Sequence, residues 1–127
     1  HPAEVIRAVD GKSIAELSEE LNDRIRDARE GRLTAEQMQG GTFTISNAGA
    51  LGGGAFTPIV NWPEVAILGV GRARAEPAVV EGEFASRQIL PLALSYDHRL
   101  IDGADGVRFL RWVVEILEDP AALLWRL

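Results

Sequence analysis

At 127 residues the chain is long enough to bury one hydrophobic core, and a single domain, or part of one, is expected. Its formal charge of -6, with no basic stripe, argues against a nucleic-acid partner. The absence of cysteine excludes disulfides, thiolate nucleophiles and thiolate metal sites. No apolar run reaches the ~18 residues of a membrane span. No cluster of His, Asp and Glu has metal-ligand spacing, so neither a membrane partner nor a metal is expected.

Residues 2–9 are short and apolar-rich, and Asp10-Gly11 signals a turn. Ser13 followed by Glu16 reads as a capping box. Ile14, Leu17, Leu21, Ile25 and Ala28 then form one apolar stripe, predicting an amphipathic helix from about 13 to 30 with Gly31 at its end. The stripe is short for a coiled coil and suits packing on a sheet. Thr34 with Gln37 predicts a second, short capped helix ending near Gly40.

From Gly41 to Asn47 the period changes to two, with Thr42, Thr44 and Ser46 on one face of a half-buried strand. Residues 48–63 are a long loop with four glycines and two prolines, and loops of that length are usually functional or interfacial. The glycines lack the lysine and the strand-loop-helix order of a phosphate loop. Residues 65–70 are continuously apolar, as a buried strand should be. Two strands, 78–80 and 84–96, are predicted about a turn at Glu81-Gly82. Leu90, Leu92, Leu94 and Tyr96 share one face of the second. Asp102, with Asp105 at the third position, caps a final helix that is apolar over a wide arc. That helix is expected to be mostly buried, against the sheet or a neighbouring subunit, and to end at Asp119-Pro120. Leu123, Leu124, Trp125 and Leu127 form an apolar tail that should dock on something. The three tryptophans suit core or interface positions.

Between the last strand and the last helix lies Ser95-Tyr96-Asp97-His98-Arg99-Leu100-Ile101-Asp102-Gly103. A strand-to-helix junction holds a side chain rigidly at a cleft. A neutral imidazole accepts a proton near pH 7, which makes His98 a candidate general base. Asp97 and Arg99 read as a loop ion pair.

Four blocks occur in order: Gly41-Thr42-Phe43-Thr44-Ile45-Ser46-Asn47, Phe56-Thr57-Pro58-Ile59-Val60-Asn61, Pro63-Glu64-Val65-Ala66-Ile67-Leu68-Gly69-Val70-Gly71, and Asp97-His98-Arg99-Leu100-Ile101-Asp102-Gly103. Together they resemble the catalytic core of the dihydrolipoamide acyltransferases of 2-oxo acid dehydrogenase complexes. The resemblance implies an α/β two-layer sandwich of the chloramphenicol-acetyltransferase type, with a mixed sheet covered by helices. It covers roughly the C-terminal half of that catalytic domain. The lipoyl and peripheral-subunit-binding domains are expected to lie outside the chain.

The resemblance also implies a mechanism. His98 would take the proton from a thiol of coenzyme A or dihydrolipoamide, and Ser46 would hydrogen-bond the tetrahedral oxyanion. Asp102 matches a motif aspartate that steadies the histidine loop through an arginine; here it is expected to lack that partner or to serve only as a helix cap. Asn47 is a lesser candidate for shaping the site. Ser46 precedes His98 by 52 positions, and the family's serine and histidine meet across a trimer interface. The implied substrates are an acyl-lipoamide, carried on a domain not in this chain, and coenzyme A. The acyl group leans toward acetyl. The implied partners are a homotrimer built into a larger cage, and the decarboxylase and dihydrolipoamide dehydrogenase components. The implied location is cytoplasmic, or the mitochondrial matrix in a eukaryote. Two other readings are a non-catalytic scaffold piece of the core and a stand-alone acetyltransferase acting on a small molecule.

Overall fold

The computed structural model describes residues 4–123, and the chain divides into two compact units, residues 1–42 and 43–127. The first unit carries helix α1, Ile14–Arg29. The Ser13 hydroxyl accepts the Glu16 N–H at 3.2 Å, and the Glu16 carboxylate accepts the Ser13 N–H at 2.7 Å, so the capping box is complete. At the other end Gly31 has φ 68°, with its N–H donating to Ala28 and that of Arg32 donating to Asp27. This paired closure uses the left-handed conformation that glycine adopts without strain. No α1 residue is buried, and Ile14 is exposed.

The predicted second helix is a single 3-10 turn, Glu36–Met38. Thr34 and Gln37 do exchange reciprocal bonds, at 2.9 and 3.3 Å, but the chain is already extended at Gln39 and turns left-handed at Gly40. The backbone leaves the helical region before a second turn can form. The carbonyls of Glu36 and Gln39 accept from the Arg7 guanidinium at 2.7 and 2.6 Å, and Gln37 accepts from the Val5 N–H. A helical pattern thus gives way to a strap that holds residues 5–7.

The second unit contains a mixed three-stranded sheet: β1 (Thr44–Asn47), β2 (Ala66–Val70) and, paired with β2, the strand Leu92–Tyr96. A separate hairpin joins β3 (Arg74–Val80) to β4 (Glu83–Ile89), so the strand at Leu92–Tyr96 is β5. The sheet order is β1-β2-β5, with β1 parallel and β5 antiparallel to β2. The apolar run of β2 takes the centre, and Ala66, Ile67 and Leu68 are the buried core. The hairpin turns on Glu81-Gly82, with φ 52° and 82°, which fits the right-handed twist of its strands.

The strand predicted over 84–96 is two strands. Pro91 has no N–H to give to a ladder, so β4 ends at Ile89 and β5 begins at Leu92. The Pro91 carbonyl accepts from Gly71 at 2.9 Å instead. Leu90 therefore lies outside β5. The hairpin's other strand begins at Arg74, four residues earlier than predicted, and passes through Pro77. Proline is tolerated there because β3 pairs only with β4.

Helix α2, Gly103–Glu118, lies on one face of the sheet. Phe109 meets Phe43 with ring centroids 5.8 Å apart, and Gly106 abuts Tyr96. The opposite face holds the row Ser46, Gly69 and Ala93. There the 48–63 loop folds over Gly69, where an added Cβ would stand 3.0 Å from Phe56 and 3.2 Å from Pro58. This covering explains the burial of β1. Thr44 and Ser46 are its less exposed residues, whereas Ile45 is 65% exposed. The hydroxyl face, which alternation alone would leave to solvent, is the covered one.

Within the single chain the sheet does not bury α2 among the described residues. Gly106 is its only buried residue, and Val107, Trp112 and Leu117 are exposed. A sheet of three strands is narrower than the apolar arc of a 16-residue helix. The helix ends at Asp119, and Pro120–Ala122 forms a 3-10 turn, as Asp119-Pro120 predicted. Of the apolar tail, Leu123 is half-buried. Leu124, Trp125 and Leu127, like residues 2 and 3 at the start, lie outside the described residues.

Candidate active site

His98 sits in the turn that leaves β5. The turn is organised by Asp97, whose N–H donates to the Val65 carbonyl at 2.8 Å and whose own carbonyl accepts from both Leu100 and Ile101 at 3.0 Å. The Asp97 carboxylate accepts the Arg99 N–H at 3.0 Å and takes the guanidinium in a bidentate pair at 2.9 and 2.7 Å. Hydrogen bonds from Arg99 hold the Asp97 carboxyl down at about 2. Both carboxylate oxygens are occupied, so Asp97 acts as the anchor of the loop. His98, between the paired residues, is exposed and makes no hydrogen bond among the described residues. Its one ring contact is with Tyr96, at 5.7 Å between centroids and 41° between planes.

Asp102 is the N-cap of α2, and its carboxylate accepts the Asp105 N–H at 2.9 Å. Among the described residues no arginine pairs with it. The cap bond is the one that the pairing of Asp102 with Asp105 predicts.

Ser46 is half-buried on β1, with no hydrogen bond to its hydroxyl among the described residues. The backbone just past it is tightly fixed. The Asn47 side chain accepts the Gly49 N–H at 2.9 Å, and Ala48 donates to Val70 at 3.0 Å. Gly53 donates to Ala48 at 3.1 Å, and Arg72 donates to Gly53 at 2.8 Å. An added Cβ at Gly71 would stand 2.4 Å from the Gly54 carbonyl oxygen. The glycine loop is therefore clamped onto the end of β2, which brings a rigid backbone up to Ser46.

Ser46 and His98 do not meet within one chain. Ser46 is level with Gly69 and Ala93, whereas Tyr96 is level with Ala66, three rows along. Three rows and two strand spacings separate Ser46 from Tyr96 by about 10 Å along and about 10 Å across the sheet. His98 lies two residues further still. Ser46 lies on the loop-covered face, whereas Tyr96, whose ring borders that of His98, lies on the α2 face.

A polar cluster escaped the sequence reading. The Glu64 carboxylate accepts the Thr44 hydroxyl at 2.7 Å and the Asn61 amide at 3.3 Å. It ties the start of β1 to the entry of β2, beside the Val65 carbonyl that holds Asp97. Residues 20 apart in sequence carry no local signal of such contact. Among the described residues no group of three or more acidic or histidine side chains could hold a metal, and no helix is long and apolar enough to cross a membrane.

The family model for the 2-oxoacid dehydrogenases acyltransferase catalytic domain matches residues 3–125. This chain belongs to that family. The acetyltransferase component of the pyruvate dehydrogenase complex of Haemophilus influenzae is 55% identical over 120 residues, 94% of this chain and 21% of the relative. The dihydrolipoamide acetyltransferase of Azotobacter vinelandii superposes with a TM-score of 0.89 at 52% identity, covering 95% of this chain and 50% of that one. The cubic core of the pyruvate dehydrogenase multienzyme complex superposes with 0.90 at 50% identity, again covering 95% of this chain and 50% of the other. The α/β acyltransferase-core fold expected from the sequence is thus the fold observed. The chain spans about half the length of these solved acyltransferase cores and about a fifth of the curated relative.

The Azotobacter structure concerns the catalytic role of a serine, a histidine and an asparagine. Their spacing is that of Ser46, His98 and Asp102 in this chain, 52 and then 4 positions. The third position here is an aspartate.

Proposed function

We propose that the chain is the C-terminal part of the catalytic domain of a dihydrolipoamide acyltransferase, and that its assembled form passes an acetyl group from lipoamide to coenzyme A. The observation that carries this reading is the exposed, unbonded imidazole of His98 standing at the serine-to-histidine spacing of the Azotobacter enzyme. His98 accepts the proton of the coenzyme A thiol as its sulfur attacks the thioester carbonyl. Transferring the thiol proton within the transition state, rather than before attack, spares the reaction a separately formed thiolate–imidazolium pair. The carbonyl electron pair moves onto oxygen, where the free Ser46 hydroxyl donates a hydrogen bond. Collapse expels the dihydrolipoamide thiolate, which takes the proton back from the imidazolium. Both substrates are thiols, so a chain without cysteine has no need of a covalent acyl-enzyme.

Because Ser46 and the turn that carries His98 lie far apart on one sheet, the reading requires Ser46 of one copy to face His98 of another. A trimer, built into a larger cage, supplies that pairing. The lipoyl and peripheral-subunit-binding domains then belong to the longer polypeptide, and the decarboxylase and dihydrolipoamide dehydrogenase are its partners. A cytoplasmic location, or the mitochondrial matrix in a eukaryote, follows from that assignment.

The test is acyl transfer by the complete native polypeptide with His98→Ala, using acetyl, succinyl and branched-chain lipoamide esters. Loss of about 10²- to 10⁴-fold in kcat is expected, with partial recovery above pH ~8.5, where the thiol ionises unaided. Full activity of the variant overturns the assignment of the base, and preference for a succinyl or branched-chain donor overturns the acetyl assignment.

A further inference from the structure

His98 lacks any hydrogen bond among the described residues, yet a general base must hold its nitrogen within reach of a thiol proton. What borders the imidazole is a ring. Tyr96, two residues earlier and half-buried, lies 5.7 Å from it in a tilted aromatic contact. The Tyr96 ring is itself seated by α2. A Cβ at Gly106 would stand 2.7 Å from its Cε1 and 2.9 Å from its Cζ, so only glycine leaves the slot open. Gly106 is also the one buried residue of α2. The Tyr96 hydroxyl makes no hydrogen bond among the described residues, so it is the ring that matters. Between Tyr96 and His98 the backbone is pinned by the Asp97 N–H to Val65 and the Asp97–Arg99 pair. The pinned backbone and the seated ring thus border the imidazole on one side.

We propose that Tyr96 is a positioning residue for His98, its ring wedged between the Gly106 slot and the imidazole so that the base stays aimed at the incoming thiol. The proposal rests on His98 being the base, and it adds the device that orients it. Removal of the ring lowers kcat because the base strays from its reactive geometry, to which rate is steeply sensitive. It leaves the KM for coenzyme A nearly unchanged, since Tyr96 does not bind substrate.

The test compares Tyr96→Phe, Tyr96→Leu and Tyr96→Ala in the complete assembled enzyme, each also combined with His98→Ala. Tyr96→Phe should keep kcat within about twofold, and Tyr96→Leu, which keeps apolar bulk in the slot, should lower it by about tenfold or more at constant KM. On the His98→Ala background the Tyr96→Leu loss should vanish, which a purely structural role would not produce. Should Tyr96→Ala fail to assemble, Tyr96→Leu decides. Unchanged kcat in Tyr96→Leu, or an equal loss in Tyr96→Phe, overturns the positioning role while leaving the base intact. Full activity of His98→Ala alone instead overturns the base itself.

Discussion

Replacing Asp102 separates a cap from a catalytic carboxylate. The carboxylate accepts one N–H, from Asp105 at 2.9 Å, at the positive end of a 16-residue helix. Asparagine keeps an oxygen in that place and ranks with aspartate as an N-cap, so Asp102→Asn loses only the charge term, about 0.3–1 kcal/mol. Asp102→Ala loses the cap bond as well, about 1–2 kcal/mol in all. The same first turn carries the Gly106 N–H to the Asp102 carbonyl at 3.1 Å, and Gly106 seats Tyr96. Fraying in Asp102→Ala should therefore reach His98 and lower kcat several-fold, while Asp102→Asn stays within about twofold. Steady-state acyl transfer and thermal melting of the assembled enzyme measure both quantities. A loss of 100-fold or more in Asp102→Asn with an unchanged melting temperature would refute this reasoning, because the negative charge itself would then be in use.

Two further outcomes follow from the loops. The folded Asp97 carboxyl lies below its ordinary 3.8, at about 2, so the Asp97–Arg99 pair stabilises the fold fully above pH ~4 and ceases to do so as pH falls through ~2. The stability gap between wild type and Arg99→Ala should be constant at neutral pH and close within that acid window; a gap that opens on acidification contradicts the pairing. Gly71→Ala drives a Cβ to 2.4 Å from the Gly54 carbonyl oxygen, a backbone atom that cannot swing aside, and should cost about 1–3 kcal/mol with release of the glycine loop. Gly11→Ala meets nothing within 4 Å and serves as the neutral control in the same melting experiment.

What could be read from the chain is what local chemistry decides. Ser13 with Glu16 and Asp102 with Asp105 cap helices by bonds to residues three positions away, so the pattern and the geometry coincide. The centre of the run over 65–70, residues 66–69, is buried because it is apolar on both faces. The break at Pro91 was also local, yet the alternation on either side of it reads as one strand, and only the missing N–H divides it.

Other features depend on partners distant in sequence. Which face of β1 is covered follows from Phe56 and Pro58 folding over Gly69, not from the alternation of hydroxyls. The Glu64 bridge to Thr44 and the Gly106 slot for Tyr96 join segments that no periodicity links. In the candidate site, the residue types and spacing of Ser46 and His98 were legible. Their separation along and across one sheet required the register of three strands.

That placement is tested most directly by mixing defects. Subunits carrying Ser46→Ala and subunits carrying His98→Ala, each expected to be inactive alone, are produced together in equal amounts and assembled into common oligomers. If every site takes Ser46 from one subunit and His98 from its neighbour, about a quarter of the sites regain both residues and activity returns to about that fraction of wild type. Mixed assemblies no more active than either parent would contradict a site shared between subunits.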